Sequence, residues 1–277
     1  MRDGQEQTGT SLGLVALLVF FVMYGAGWAT GSSPDESQPP PTVAGPGYTE
    51  ELPALGPADA PVVIVFVADL KCVFCAKHNA FTKRVVAQYA TEARIVFKHF
   101  PFISRPSSED GAIATMAANR QGHFWAYLDQ LFLHQSESWT REHLTEYAEA
   151  IGLDTQQFVQ DLQDPALLSY VRLDKAAAEA LQIRATPTVY INGRKFENFE
   201  TMNEFRIAVR EARDKVLGIV ERGEAPTIEV ARALSAANEY FDTTGNYVLG
   251  EYFASYYMNN DVTSLDVSLA RSLETVR

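Results

Sequence analysis

A chain of 277 residues exceeds the usual size of a single domain, so it has room for one substantial core with appendages around it. Apolar residues make up 47% of it, which excludes wholesale disorder, and a net charge of -12 without any cluster of Lys and Arg excludes nucleic acid as a partner. Two cysteines are too few for a disulfide scaffold, and any intramolecular disulfide must join Cys72 to Cys75.

Residues 1–11 are a short N-terminal segment. From Leu12 to Ala29, eighteen residues carry no charge, which is the length needed to cross a bilayer as a helix. A single-pass transmembrane anchor is expected there. A signal cleaved near Ala29, giving a secreted form, is the alternative; the anchor is favoured because the run is longer than the apolar stretch of a typical signal. No Lys or Arg follows the span until Lys71, while Asp35, Glu36, Glu50 and Glu51 intervene, so the rest of the chain is expected outside the cytoplasm, in a periplasm or at the cell exterior. Residues 30–50, rich in Gly, Ser and Pro with consecutive prolines at 39–41, read as a disordered linker.

The main domain is expected over residues 51–222. "PVVIVFVA", Pro61 to Ala68, is a continuous β-branched run, as a strand buried on both faces reads. Phe74, Phe81, Val85 and Tyr89 then recur at near-helical spacing, and "ARIVFKHF", Ala93 to Phe100, is a second strand, so a βαβ unit with parallel strands is predicted. Residues 107–182 are helical almost throughout, with Ser108, Thr140, Asp154 and Pro165 opening helices. Sheet signals return at Val189 to Ile191 and Lys195 to Glu197, which flank the hairpin dipeptide Asn192-Gly193, and a helix from Thr201 to Glu221 follows. Residues 223–277 read as a helical extension with a stripe of Leu265, Leu269, Leu273 and Val276, packing on the domain or serving as an interface.

Both cysteines lie in "ADLKCVFCAKHN". A structural zinc site needs four ligands, and with no second CxxC pair His78, His99 or His123 would have to converge on it. A redox dithiol accounts for more. At a helix N-terminus unpaired N–H groups and the helix dipole stabilise a thiolate, so Cys72 is the nucleophile; Lys71 is expected to be solvated and to add little. Cys75, nearly one turn on and more buried, is the resolving thiol. His78 reads as a packed or surface residue.

The segments "VVIVFVADLKCVFC", "RIVFKHFPF", "AANRQGHFWAYLDQLFLHQ" and "ALQIRATPTVYING" occur in the order found in DsbA-like thiol:disulfide oxidoreductases, which the chain resembles over residues 60–212. The resemblance implies an α/β thioredoxin fold with an inserted helical subdomain. It makes Cys72 the attacking thiol, Cys75 the resolving thiol, and Pro187 a cis-proline facing them. Thr186 before it is then free to pair with an extended client peptide; Phe74, separately, is expected to be partly exposed and to tune both the redox potential and client contact. No cofactor is implied beyond a redox-active Cys72–Cys75 disulfide. Two positions depart from the family: Val73-Phe74 replaces the Pro-His of strongly oxidising members, and Phe66 stands where many relatives carry an acidic residue. The function expected is an extracytoplasmic oxidoreductase that promotes disulfide formation in client proteins and is recycled by a redox partner, for which a membrane protein is one candidate. A reductase or isomerase, or a peptide-binding module with a fixed disulfide, are the alternatives; the short linker leaves no separate N-terminal dimerisation domain for an isomerase.

Overall fold

The structure, a computed structural model, describes residues 52–103, 107–196 and 201–244. The expected anchor at 12–29, the linker at 30–50 and the tail beyond residue 244 lie outside the described residues. Among the described residues no helix is long and apolar enough to cross a membrane.

The sheet has five strands: β1 (Ala54–Leu55), β2 (Val62–Ala68), β3 (Ala93–His99), β4 (Thr188–Ile191) and β5 (Arg194–Phe196), in the order β1-β3-β2-β4-β5. All seven residues of β2 are buried, because the strand is flanked on both edges and covered on both faces. It pairs in parallel with β3, from Val62 opposite Ala93 to Ala68 opposite His99, and antiparallel with β4, from Ile64 opposite Ile191 to Val67 opposite Thr188. The helix α1 (Val73–Gln88) forms the predicted parallel crossover between β2 and β3. Strand alternation divides the core. Ile64, Phe66, Ile95 and Phe97 face one cluster, whereas Val63, Val65, Val67, Val96 and Tyr190 face the other.

The inserted block comprises α2 (Ser107–Arg120), α3 (Phe124–Leu133), α4 (Arg141–Ala150), α5 (Thr155–Asp161) and α6 (Pro165–Ala180). Thr140 and Asp154 cap α4 and α5 as expected, and Asp164 caps α6 ahead of Pro165. Ser108 does not act as a cap. It lies inside α2, fully buried, and its hydroxyl donates instead to the Asp69 carboxylate. The block is tied to the sheet by a buried ion pair, Lys98 Nζ to Asp174 Oδ1 at 3.2 Å, while the other oxygen of Asp174 accepts the His99 backbone N–H at 2.9 Å. Burial lowers the Lys98 pKa, and the Asp174 charge opposes that shift.

Two more helices complete the described chain, α7 (Met202–Glu221) and α8 (Ile228–Thr244). α7 opens with a reciprocal capping box between Thr201 and Glu204, at the predicted boundary. The Asn192-Gly193 turn has both residues at positive φ, 43° and 84°, as a tight hairpin demands. Gly193 is also required by packing, because a Cβ there would collide with the α8 backbone at Ala236. α8 lies on the domain: its Arg232 is buried and donates to the carbonyls of Ala58 at 3.0 Å and Ala60 at 2.6 Å. Strand β1, two residues long, escapes sequence patterning because so short a run has no period to read.

Candidate active site

Cys72 ends the loop after β2 and is the N-cap of α1, with φ -82° and ψ 114° and no side chain capping the helix. Its carbonyl accepts the first helical N–H groups, from Cys75 at 2.9 Å and Ala76 at 3.3 Å. The sulfur therefore sits beside the unpaired N–H groups at the start of α1. Both thiols are free, and both are buried: Cys72 keeps 5% exposure and Cys75 none. Cys72 is thus less open than a helix-entrance position suggests, because a loop from elsewhere in the chain covers it.

That loop contains the Thr186–Pro187 bond, which is cis. Thr186 brings its carbonyl to the cysteine, where the Cys72 thiol donates to it at 3.3 Å. Its hydroxyl is buried, makes no bond to the neutral thiols, and lies where it can donate to a thiolate of the pair. Cys72, Cys75, Thr186 and Pro187, far apart in sequence, are brought to one place. Phe74 is not folded over the sulfurs: it is 65% exposed and Val73 72% exposed. With Phe102 and Ile103, also exposed, they give the domain an apolar surface at the β2 and β3 loop ends.

The two thiols are driven apart in acidity. The Cys72 pKa falls to about 6, chiefly because the Cys75 thiol hydrogen-bonds to its thiolate; burial opposes this, and the Thr186 hydroxyl and the N–H groups of Cys75 and Phe74 reinforce it. Burial pushes Cys75 up, and the bond to Cys72 and the charge on it push in the same direction. At neutral pH this split favours a thiolate at Cys72 and a thiol at Cys75, and the bond to the Thr186 carbonyl belongs to the protonated form of Cys72.

Lys71 departs from the expectation of a solvated charge. Its ammonium donates to the carbonyls of Gln135 at 3.0 Å and Glu137 at 2.6 Å and stands 3.5 Å over the Trp139 ring. The cation is held by the loop between α3 and α4. No contribution from it is needed to explain the Cys72 thiolate. Phe66, in the place of the family's acidic residue, is fully buried and packs against Phe97 at 5.8 Å between ring centroids. His78 bonds the Phe74 carbonyl through Nδ1 at 2.7 Å, and no group of His, Cys, Asp or Glu among the described residues is placed to hold a metal ion.

Sequence reasoning missed Asp69, three residues before Cys72. It is 1% exposed, and its carboxylate accepts four hydrogen bonds of 2.7 Å, from the backbone N–H groups of Lys71, Phe102 and Ile103 and from the Ser108 hydroxyl. It ties together the loops after β2 and β3 and the start of α2. The signal available was an acidic residue directly after a fully apolar strand, where a buried position demands partners.

Residues 49–211 match the protein family described as thioredoxin. Among curated proteins, the chain is 36% identical over 156 residues to the Na(+)/H(+) antiporter NhaA of Herminiimonas arsenicoxydans, a match that takes in 56% of this chain but only 25% of the antiporter's length. Among solved structures it is similar to a thioredoxin-like oxidoreductase from Silicibacter pomeroyi DSS-3, with 25% identity, a TM-score of 0.52, and coverage of 59% of this chain and 92% of that one. The thiol-disulfide exchange protein alpha-DsbA2 from Wolbachia pipientis shares the fold at 18% identity and a TM-score of 0.53, over 58% of this chain and 86% of that chain.

Proposed function

The chain belongs to the thioredoxin family as a DsbA-like member, and from that premise we propose that it is a thiol:disulfide oxidoreductase acting on client proteins in the direction of disulfide formation. The supporting observation is the split in acidity between Cys72 and Cys75 beside the Thr186 carbonyl. In the oxidised protein a client thiolate attacks Cys72 Sγ. The Cys72–Cys75 bond breaks, its electron pair goes to Cys75, and Cys75 takes up a proton, which its raised pKa favours. A second client thiolate then attacks the client sulfur of the mixed disulfide, and Cys72 leaves as a stabilised thiolate. The client is oxidised, the dithiol is reduced, and a redox partner must reoxidise it. No cofactor enters beyond the two cysteines. The exposed Val73 and Phe74 offer an apolar contact for client residues, and the backbone of Thr186 offers strand-like pairing.

Stabilising the Cys72 thiolate favours the reduced protein. The folded pKa of about 6 lies below that of an unfolded thiol near ~8.5, so this stabilisation sets in as pH rises through about 6 and is complete above the unfolded value. At pH ~7 it amounts to about 1.4 kcal/mol, or about 30 mV toward an oxidising disulfide. Equilibration with glutathione buffers is the test. A reduction potential between about -270 and -120 mV, more oxidising than an otherwise identical inert disulfide as pH rises from ~6, is expected. A value below about -300 mV would mark a structural bond and favour a peptide-binding module without turnover.

We place the catalytic domain outside the cytoplasm on a membrane tether, supported by the uncharged run Leu12 to Ala29 and the absence of Lys and Arg from there to Lys71. Disulfides persist in such compartments, which favours the oxidising direction. Alkaline extraction should leave the protein with the membranes; release into the supernatant would overturn the tether. The antiport named for the relative belongs to a protein most of whose length lies outside the match, and it is not carried over.

A further inference from the structure

The loop between α3 and α4 and the loop that carries the nucleophile are bonded to each other in both directions. The Gln135 carboxamide donates to the Leu70 carbonyl at 2.6 Å and to the Cys72 carbonyl at 2.9 Å. In return, the Lys71 ammonium donates to the Gln135 and Glu137 carbonyls. Trp139 backs this clasp. It is 5% exposed, its indole N–H donates to the His134 carbonyl at 3.1 Å, and its ring rests on Gly111, where any Cβ would collide with it. One end of the clasp is fixed by packing, and the other end holds the residue whose sulfur reacts.

Resting on the oxidoreductase reading above, we propose that Gln135 is a positioning residue for disulfide exchange: it grips the carbonyls on either side of Lys71 and so holds the Cys72 sulfur against the first N–H groups of α1 and the Thr186 backbone. Lys71 is its counterpart, keeping the Gln135 loop closed over the nucleophile. The physical reason lies in the N-cap position. An N-cap residue has a non-helical backbone, so α1 restrains Cys72 on one side only, and no side chain caps the helix there. N–H dipoles act on a thiolate over a short range, and a small rotation of the Cys72 peptide weakens all of them together. On the other side the Cys72 N–H donates to the Asp69 carbonyl at 3.0 Å, and Gln135 ties the two sides together through the Leu70 and Cys72 carbonyls.

The test is made on the reduced full-length protein without any client, by following the pH titration of the Cys72 thiolate through its ultraviolet absorbance and through its rate of alkylation. Gln135→Met keeps the side-chain volume and removes both donated bonds. It is expected to move the midpoint upward by roughly half to one pH unit and to slow alkylation at mildly acidic pH several-fold. Lys71→Met reaches the clasp from its other side and should shift the titration the same way, Lys71→Arg should restore it, and the double variant should be no worse than the more affected single one, since both open one clasp. If Gln135→Met lowers the melting temperature but titrates as wild type, Gln135 is merely structural and the proposal falls. If the two single effects add, Lys71 acts by charge alone and the clasp is not the device. The titration needs no turnover: a wild-type protein that fails to oxidise clients while Gln135→Met still shifts the midpoint would sink the oxidoreductase reading and leave the positioning role standing.

Discussion

Cys72→Ser is expected to abolish thiol–disulfide exchange, and Cys75→Ser to leave the protein covalently joined to its clients. A serine at 72 offers neither a disulfide to attack nor a thiolate at neutral pH, so both directions of the reaction lose their first step. A serine at 75 leaves Cys72 able to attack a client disulfide, the reverse of the oxidising direction, and removes the sulfur that would displace the client from that mixed disulfide. The mixed disulfide then persists until an external thiol reaches it. Because Cys72 is only 5% exposed, that rescue should be slow. Cys75→Ala, which unlike serine leaves no donor in place of the thiol that hydrogen-bonds the Cys72 thiolate, removes the largest influence on that pKa, so its Cys72 should titrate higher than in the wild type. Non-reducing electrophoresis with mass spectrometry of the trapped adducts checks the first result, and alkylation against pH checks the second. Equal and purely structural losses in both variants would remove the catalytic assignment.

Asp69→Ala should cost the fold about 3–5 kcal/mol. The carboxylate accepts from three backbone N–H groups and one hydroxyl, and all of these lose their acceptor at a buried site. Leaving a buried donor unsatisfied costs about 1–3 kcal/mol each, with the total reduced because water can enter the loops. Asp69→Asn keeps one acceptor oxygen but turns two donors toward the loops, and it should fall between wild type and Asp69→Ala. Urea unfolding of the reduced protein gives the difference, and a drop in Tm of about 10 °C corresponds to it. A loss below ~1 kcal/mol would mean that the loops after β2 and β3 are held by something other than this carboxylate.

Much of the frame was legible in the chain because it rests on neighbours in sequence. The apolar run that becomes β2, the Asn192-Gly193 hairpin and the Thr201–Glu204 cap all depend on local backbone preference or on alternation within a few residues. The thiolate-stabilising helix start at Cys72 was legible for the same reason. Three details were not. Ser108 reads as a cap, yet its hydroxyl is claimed by Asp69, 39 residues away. Lys71 reads as a solvated charge, yet it is held by carbonyls 64 and 66 residues away. Cys72 reads as exposed until the loop of Thr186, 114 residues on, covers it.

By itself the sequence determined an α/β frame with a CxxC pair at a helix entrance, because spacing and periodicity specify both; the resemblance to DsbA-like proteins is what made that pair a redox dithiol. Tertiary structure alone decided how the dithiol is held. Gln135 and Thr186 have no local signature, and that of Asp69, an acidic residue after an apolar strand, names none of its distant partners, since each acts through hydrogen bonds to groups that only folding brings within reach. Those contacts, from three separate parts of the chain, hold a CxxC pair in which the Cys75 thiol makes Cys72 acidic and burial keeps Cys75 protonated.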